Sequence, residues 1–502
     1  MKLGTLALAL LANTTVGAQA PNILLVIADD LGLDPVPGYL QGPEKSAMPH
    51  LEGLMAQGLT FDNVWADPLC SPTRSTILTG RYGFRTGVLS PGDQSLLPSN
   101  EITLHQYLAD IGSGYASSII GKWHLGGLQP DPSYPNTLGV PYYAGLLSGA
   151  VSSYDQWPLT INGSTTPSTT YITTAITDLA IDWITEQTTP WFCWVAYTAP
   201  HSPFHLPPLD MHAHDALPGD QASIDADPLP YFLAMCESVD HEVGRLMTAL
   251  PPDELANTVV IFIGDNGTEG EVIQAPYIPA HAKGTLFEGG VHVPLVVAGP
   301  GITRAGEREP ALVNTTDLFA TMVELTGHAL PSYEDSRSLL PLFTQAGASV
   351  RTCLYTEVDD AQSGSAVRDD HWKLITFTSG QQRFYDLEND PWESTNLLIG
   401  GLNGEEQLAF DALQTSCSVA TSATGPVPTP GLAIRYDPNT SLVHITGGDR
   451  SVMDVLVADA MGRIVGQFHT WDTFSAAGLP DGVLFVRIDQ GERQHLLSLV
   501  KM

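Results

Sequence analysis

Continuous apolar runs that stop abruptly at polar residues set the pattern of residues 21–398. Asn22-Ile23-Leu24-Leu25-Val26-Ile27 ends in Ala28-Asp29-Asp30, and Trp191-Phe192-Cys193-Trp194-Val195-Ala196-Tyr197 ends in Ala199-Pro200-His201. Thr258-Val259-Val260-Ile261-Phe262-Ile263 ends in Gly264-Asp265-Asn266-Gly267. Runs without polar alternation read as strands buried on both faces. Between them, Leu51, Leu54, Met55 and Leu59 after Pro49 have helical spacing. Thr173 to Thr185 reads as a helix with Ile176, Leu179, Ala180 and Trp183 on one face. Alternating buried strands and amphipathic helices predict an α/β fold. Open α/β sheets place their sites beyond the carboxyl ends of strands, so the three polar strand ends point to one crevice.

The pattern weakens over residues 127–170 and 205–230, which are rich in Pro, Tyr, Ser and Asp and are expected to wall the substrate pocket. At Cys417 it changes altogether. Residues 417–431 form a small-residue, Pro-containing linker. From Leu432, short alternating strands, with Leu484, Val486 and Ile488 on one face, predict a small β-sandwich to residue 502. These boundaries leave residues 21–416 as the catalytic domain.

The amino terminus adds a compartment. Lys2, an apolar run through Leu11 and Ala18-Gln19-Ala20 resemble a cleavable signal over residues 1–20. Leu6 to Leu11 is too short to span a bilayer, and no later uncharged segment reaches spanning length. An exported protein without a transmembrane segment is expected. With 55 acidic against 21 basic residues and a net charge of −34, the surface repels nucleic acid and anionic membranes. An anionic substrate therefore needs a locally cationic pocket. Beyond Cys70, the widely spaced Cys193, Cys236, Cys353 and Cys417 show no zinc pattern and allow three pairings, none of which the sequence selects.

Candidate chemistry gathers at the strand ends. Asp29, Asp30, Asp265 and Asn266 form a hard-oxygen set suited to Ca²⁺ or Mg²⁺ rather than zinc. Taken alone, the Asp29-Asp30 pair is equally a solvated turn. Cys70 precedes a predicted helix with Pro72 near its start, where proline is tolerated. A helix amino terminus suits a sulfate or phosphate, and Arg74, one turn on, reaches the same end. In Gly121-Lys122-Trp123-His124, an extended backbone puts Lys122 and His124 on one face. His201 lies between Pro200 and Pro203, and Lys283 precedes the paired Gly289-Gly290, which imply close backbone approach. Cations kept at these positions in a strongly acidic chain suit an anion pocket.

Cys70-Ser71-Pro72-Thr73-Arg74, followed by Leu78-Thr79-Gly80-Arg81, resembles the signature of the type I sulfatases. The resemblance extends through P-N-I-L-L-V-I-A-D-D, G-K-W-H-L-G, A-P-H-x-P, G-D-N-G and K-G-T-x-x-E-G-G-V-x-V-P. It reaches the closing motif at Tyr385–Leu397. It implies an alkaline-phosphatase-like large mixed, mainly parallel sheet flanked by helices. It also implies a formylglycine made from Cys70 by a maturase. One Ca²⁺ would be held by Asp29, Asp30, Asp265, Asn266 and the modified Cys70. The hydrated aldehyde at position 70 would attack sulfur, with Asp265 assisting its deprotonation. Arg74, Lys122 and Lys283 would stabilise the charge. His201 would bind sulfate and help protonate the leaving oxygen. His124 would deprotonate the second hydroxyl to expel sulfate and regenerate the aldehyde. His292 stands where the family usually has Arg, and Ala320 replaces a common Pro.

Val457–Val465 and Leu479–Val486 resemble a type IX secretion sorting domain, with Leu484 in place of the usual Tyr. It implies surface or medium localisation through that secretion machinery, and secretion favours a sulfated glycan over a small intracellular ester as substrate. Two alternatives stand beside a sulfuric ester hydrolase: a formylglycine-dependent phosphodiesterase or phosphonate hydrolase, and an inactive sulfated-glycan-binding protein.

Overall fold

The computed structural model describes residues 20–415 and, beyond them, 433–437, 442–446, 453–458, 463–470, 473–475, 479, 482–490 and 493–501. The leader expected over residues 1–20 (apart from Ala20) and the linker expected over 417–431 lie outside the described residues. Two compact units divide the chain near residue 418.

The larger unit is built on ten strands: β1 (Asn22–Ala28), β2 (Leu59–Trp65), β3 (Ala116–Gly121), β4 (Tyr142–Gly145), β5 (Trp157–Ile161), β6 (Ser164–Ser168), β7 (Trp191–Ala196), β8 (Thr258–Gly264), β9 (Leu295–Ala298) and β10 (Glu307–Asn314). Their order across the sheet is β10-β2-β9-β8-β1-β7-β3-β4-β5-β6. The central pairs β8-β1, β1-β7, β7-β3 and β3-β4 are parallel, whereas β9 runs against both β8 and β2. This is the mixed, mainly parallel sheet the resemblance implies.

Alternation along β1 explains its uninterrupted apolar run. Leu24, Val26 and Ala28 pack on one face with the helices Ile172–Thr185 and Leu229–Ala249, while Ile23, Leu25 and Ile27 pack on the other. Burying each such side chain contributes roughly 1.5–3 kcal/mol, so both faces demand apolar residues.

One element differs from expectation. The first helix, α1 (Pro49–Gln57), stops before Leu59, which begins β2. Gly58 has an extended backbone, and a Cβ there would meet the Val297 carbonyl oxygen at 2.3 Å. The chain is drawn into the sheet at that point, overriding helical spacing. Residues 127–170 escaped periodicity because β4, β5 and β6 are short and β6 is largely exposed. Segments from both weakly patterned stretches, Tyr154, His205 and Ile224 among them, line one cavity of about 600 Å³ together with the adjoining Tyr171.

A four-stranded antiparallel sheet (Leu354–Val358, Gly364–Arg368, Trp372–Phe377, Gln382–Asp386) completes this unit, with the helix Gly404–Thr415 packed on it. Cys193 and Cys236 are buried free thiols, whereas Cys353 is disulfide-bonded. The smaller unit contains two antiparallel sheets, of three and four strands, with Val455, Val457 and Val486 buried. The segments 459–462 and 480–481 of the sorting-domain resemblance lie outside the described residues.

Candidate active site

Strand register brings the polar ends together. Ala28 pairs with Gly264, Ile27 with Ala196, and Ala196 with Gly121. Asp29-Asp30, Asp265-Asn266, Lys122 and the loop to His201 therefore leave the sheet side by side. Gly121 allows the contact: its φ is +112° and a Cβ would meet the Ala196 carbonyl oxygen at 2.0 Å.

Cys70 is the first residue of the buried helix α2 (Cys70–Thr79). No side chain caps this terminus, so its free N–H groups and positive dipole end accompany the thiol. Arg74, four residues on, occupies the same face. Its Nε and Nη2 donate to Asp265 Oδ2 at 3.1 and 2.7 Å, and its Nη1 donates to the Lys122 carbonyl at 3.0 Å. Asp265 Oδ1 accepts from the Asp30 amide at 3.0 Å. Lys122 is ion-paired with Asp29, and both are fully buried.

His124 departs from the extended conformation expected of K-x-H, since its φ is +54°. That turn places Nδ1 3.1 Å from the Cys70 sulfur. Gly149 lies against the ring: a Cβ there would come within 2.2 Å of His124 Nε2.

His201 Nδ1 bonds the Ser202 carbonyl at 2.6 Å, leaving Nε2 3.7 Å from Asp30 Oδ2. Lys283 reaches Asp30 Oδ2 at 2.5 Å and Glu269 Oε1 at 3.2 Å. Asn266 Nδ2 donates to Asp30 Oδ1 at 2.8 Å and to the Gly267 carbonyl at 3.0 Å. All ten residues singled out in the sequence thus meet in one crevice.

The oxygen set fits a hard cation. One carboxylate oxygen from each of Asp29, Asp30 and Asp265 lies within 4.8 Å of the others, all three residues being buried. Asp29 Oδ1 and Asn266 Oδ1 are buried without a hydrogen-bond partner. Burial and the charges of Asp265 and Asp30 drive the Asp29 carboxyl well above its usual range, against the pull of Lys122 and Arg74. For Asp30, burial acts upward, but Lys283, His201 and Lys122 together hold it below the usual carboxylate range. Burial, with Lys122 and Arg74 nearby, pushes His124 well below its ordinary value, so its imidazole is neutral. Burial lowers His201 to about 4 despite Asp30. Lys283 is raised, because Asp30, Cys70 and Glu269 outweigh the cost of burial.

Sequence reasoning missed Glu269, which receives Lys283 and the Ser202 hydroxyl (3.1 Å). Its signal was modest: an acid two residues past the Gly267 turn. Asp34 was missed too. It accepts from Thr268 Oγ1 at 2.5 Å and from the Gln274 amide at 3.1 Å, tying the β1 end to the β8 end. His292 proves structural. Its Nδ1 pairs with Glu288 at 3.0 Å and its Nε2 meets the Asp62 carbonyl at 2.7 Å. Glu288 also holds Lys373 at 3.0 Å and Trp65 Nε1 at 3.1 Å.

A crevice of carboxylates, lysines and histidines around the helix-terminal Cys70, set at the strand ends of such a sheet, is the arrangement of an enzyme of the alkaline phosphatase superfamily. Residues 21–328 match the sulfatase family, and residues 280–408 match the C-terminal region of N-sulphoglucosamine sulphohydrolase. The chain belongs to the sulfatase family and is a sulfatase, a hydrolase of sulfate esters. It is 32% identical to arylsulfatase A of Bos taurus over 82% of this chain and 89% of that relative. It is 29% identical to N-acetylgalactosamine-6-sulfatase of Sus scrofa over 68% of this chain and 70% of that one. Among solved structures it resembles Ps i-CgsB in complex with a neocarrahexaose, with TM-score 0.66 and 25% identity over 79% of this chain and 92% of that chain. Among the described residues, no helix is long and apolar enough to cross a membrane.

Proposed function

We propose that this sulfatase cleaves a sulfate monoester on a sulfated carbohydrate, using a formylglycine made from Cys70 by a maturase and one Ca²⁺. The supporting observation is the convergence of three cations: Arg74, Lys122 and Lys283 gather beside the acid set around Cys70 in a chain of net charge −34. Asp29, Asp30, Asp265 and Asn266 would hold the cation, joined by residue 70. When formed, the modified residue supplies a hydrated aldehyde nucleophile, and the ion supplies charge to acidify it.

The chain's own residues do the rest. Lys122 and Lys283 counter the negative charge of the sulfuryl oxygens, and Arg74 fixes Asp265 while adding its own charge. His124, kept neutral, takes a proton at the position-70 oxygen through the nitrogen now 3.1 Å from the sulfur. His201 donates from Nε2 toward the leaving oxygen. The bound anion counters the burial that depresses its basicity.

Export as a secreted or surface protein rests on the leader at 1–20 and a type IX sorting domain at 432–502. Peptide sequencing of the protein released by its host tests both, because the mature form would lack them. For the reaction, mass spectrometry of the Cys70 peptide from native material, with parallel assays on aryl sulfate, phosphodiester and phosphonate, is decisive. An unmodified thiol, or phosphonate turnover far above sulfate turnover, would overturn the proposal.

A further inference from the structure

Arg383 has an unusual standing among the cations of this chain. Every other Lys and Arg of residues 20–415 pairs with a carboxylate or donates to a backbone carbonyl. Lys45 and Arg337, for example, donate to carbonyls. Arg85, Arg304 and Arg351 face Asp335, Glu307 and Asp317. In so acidic a chain this is the expected outcome. Among the described residues, no carboxylate lies within ion-pair distance of Arg383.

Its guanidinium lies instead 5.4 Å from the ring centre of Phe287 and 5.8 Å from that of Phe377. Phe287 is in turn stacked on His281 at 3.6 Å with an interplanar angle of 6°. These rings hold the cation in place without neutralising it. Arg383 is half-buried and lines a cavity of about 360 Å³ with His281, Gln362, Ser363, Thr378 and Ser379. The lining combines one guanidinium without a carboxylate partner, an imidazole, hydroxyls and two amides, with no carboxylate among the lining residues. The segment Pro279–Phe287 connects this cavity to the reaction: it contributes His281 and Phe287 to the wall here and Lys283 to the crevice.

We propose that this cavity is a second anion subsite, in which Arg383 takes a carboxylate or a further sulfate carried by the same substrate chain as the sulfate that is cleaved. This rests on the sulfated-carbohydrate reading above. Arg383 has the Tyr385 hydroxyl as a neutral hydrogen-bond partner, and its planar guanidinium, with no carboxylate to neutralise it, is suited to bidentate recognition of either group. Because the overall charge repels polyanions, a cation without a carboxylate partner at this place selects for substrates bearing more than one anionic group.

The test separates the two readings. Turnover of an aryl monosulfate by the mature enzyme reports the reaction itself, and Arg383→Gln should leave it unchanged. Calorimetry then measures the affinity of a sulfated, uronate-containing tetrasaccharide for wild type, Arg383→Gln and Arg383→Lys. The carboxyl-reduced and singly desulfated forms of that tetrasaccharide are measured alongside. Wild type should bind the parent about ten-fold or more tightly than whichever form lacks the recognised anion, Arg383→Gln should abolish that preference, and Arg383→Lys should restore part of it. The form that loses affinity identifies carboxylate or sulfate. Equal affinity of wild type for all three, failure to bind any of them, or a preference that survives Arg383→Gln would overturn the subsite. Absent aryl sulfate turnover would overturn the reaction assignment instead.

Discussion

Replacing Arg74 by Met tests whether the crevice is held by this one guanidinium. The side chain is about 1% exposed and makes three hydrogen bonds, two of them to Asp265 Oδ2. Methionine has a similar length, so the main loss is charge and donors rather than volume. Asp265 Oδ2 loses both charge-assisted bonds from Arg74, the Lys122 carbonyl loses its partner, and Asp29, 3.5 Å from Nη2, loses a countercharge. Breaking a buried pair by removing one member costs about 3–5 kcal/mol. Against a total of roughly 5–15 kcal/mol the variant should fold but lose a large share of its stability. Urea unfolding in chelator at neutral pH measures this, and sulfate ester turnover should fall by at least about 10²-fold in parallel. Arg74→Lys, which keeps the charge but cannot span three acceptors, should recover part of the stability and little turnover. A loss below about 1 kcal/mol for Arg74→Met would refute the reasoning.

Calcium at about 100 times its dissociation constant should stabilise the protein by about 2.7 kcal/mol in thermal melts, and Asp29→Asn should remove most of that response. Gly149→Ala should lower kcat by about 10²-fold with KM little changed, because its Cβ displaces the His124 ring; equal kcat would show that the ring need not sit there. His105 is buried and lowered to about 4 by desolvation. Below pH 6.5 the unfolded chain protonates it while the folded chain does not, so its contribution falls as pH drops and levels off below about 4, by roughly 3 kcal/mol. Asp34 and Asp67, both raised to about 6 by burial, act in the opposite sense, and His124 and His201 in the same sense, so the readout is the difference between wild type and His105→Gln, whose decline should be smaller by that amount.

The sequence was most legible where chemistry and periodicity coincide. The apolar runs of β1, β7 and β8 announced themselves because both faces of a central strand are buried, and their polar ends named Asp29, Asp30, His201, Asp265 and Asn266. The motif at Cys70 located α2 because a proline near a helix start is itself a structural mark. Leu59 misled, since its helical spacing yields to a chain pressed against β9 at Gly58. His124 also differed: the residue pair was visible, but not the positive φ that aims the ring at position 70.

What the linear chain determined by itself is the set of reactive groups and the strands that end in them, because residue type and burial pattern are local. Tertiary structure decided the partnerships. Arg74 is joined to Asp265 across 191 positions, and Lys283 to Asp30 across 253. Glu269 enters the crevice, His292 is withdrawn from it into the Glu288 cluster, and Arg383 is left over rings instead of a carboxylate. Such pairings depend on sheet register and loop path, which fix distances between residues that no spacing along the chain encodes.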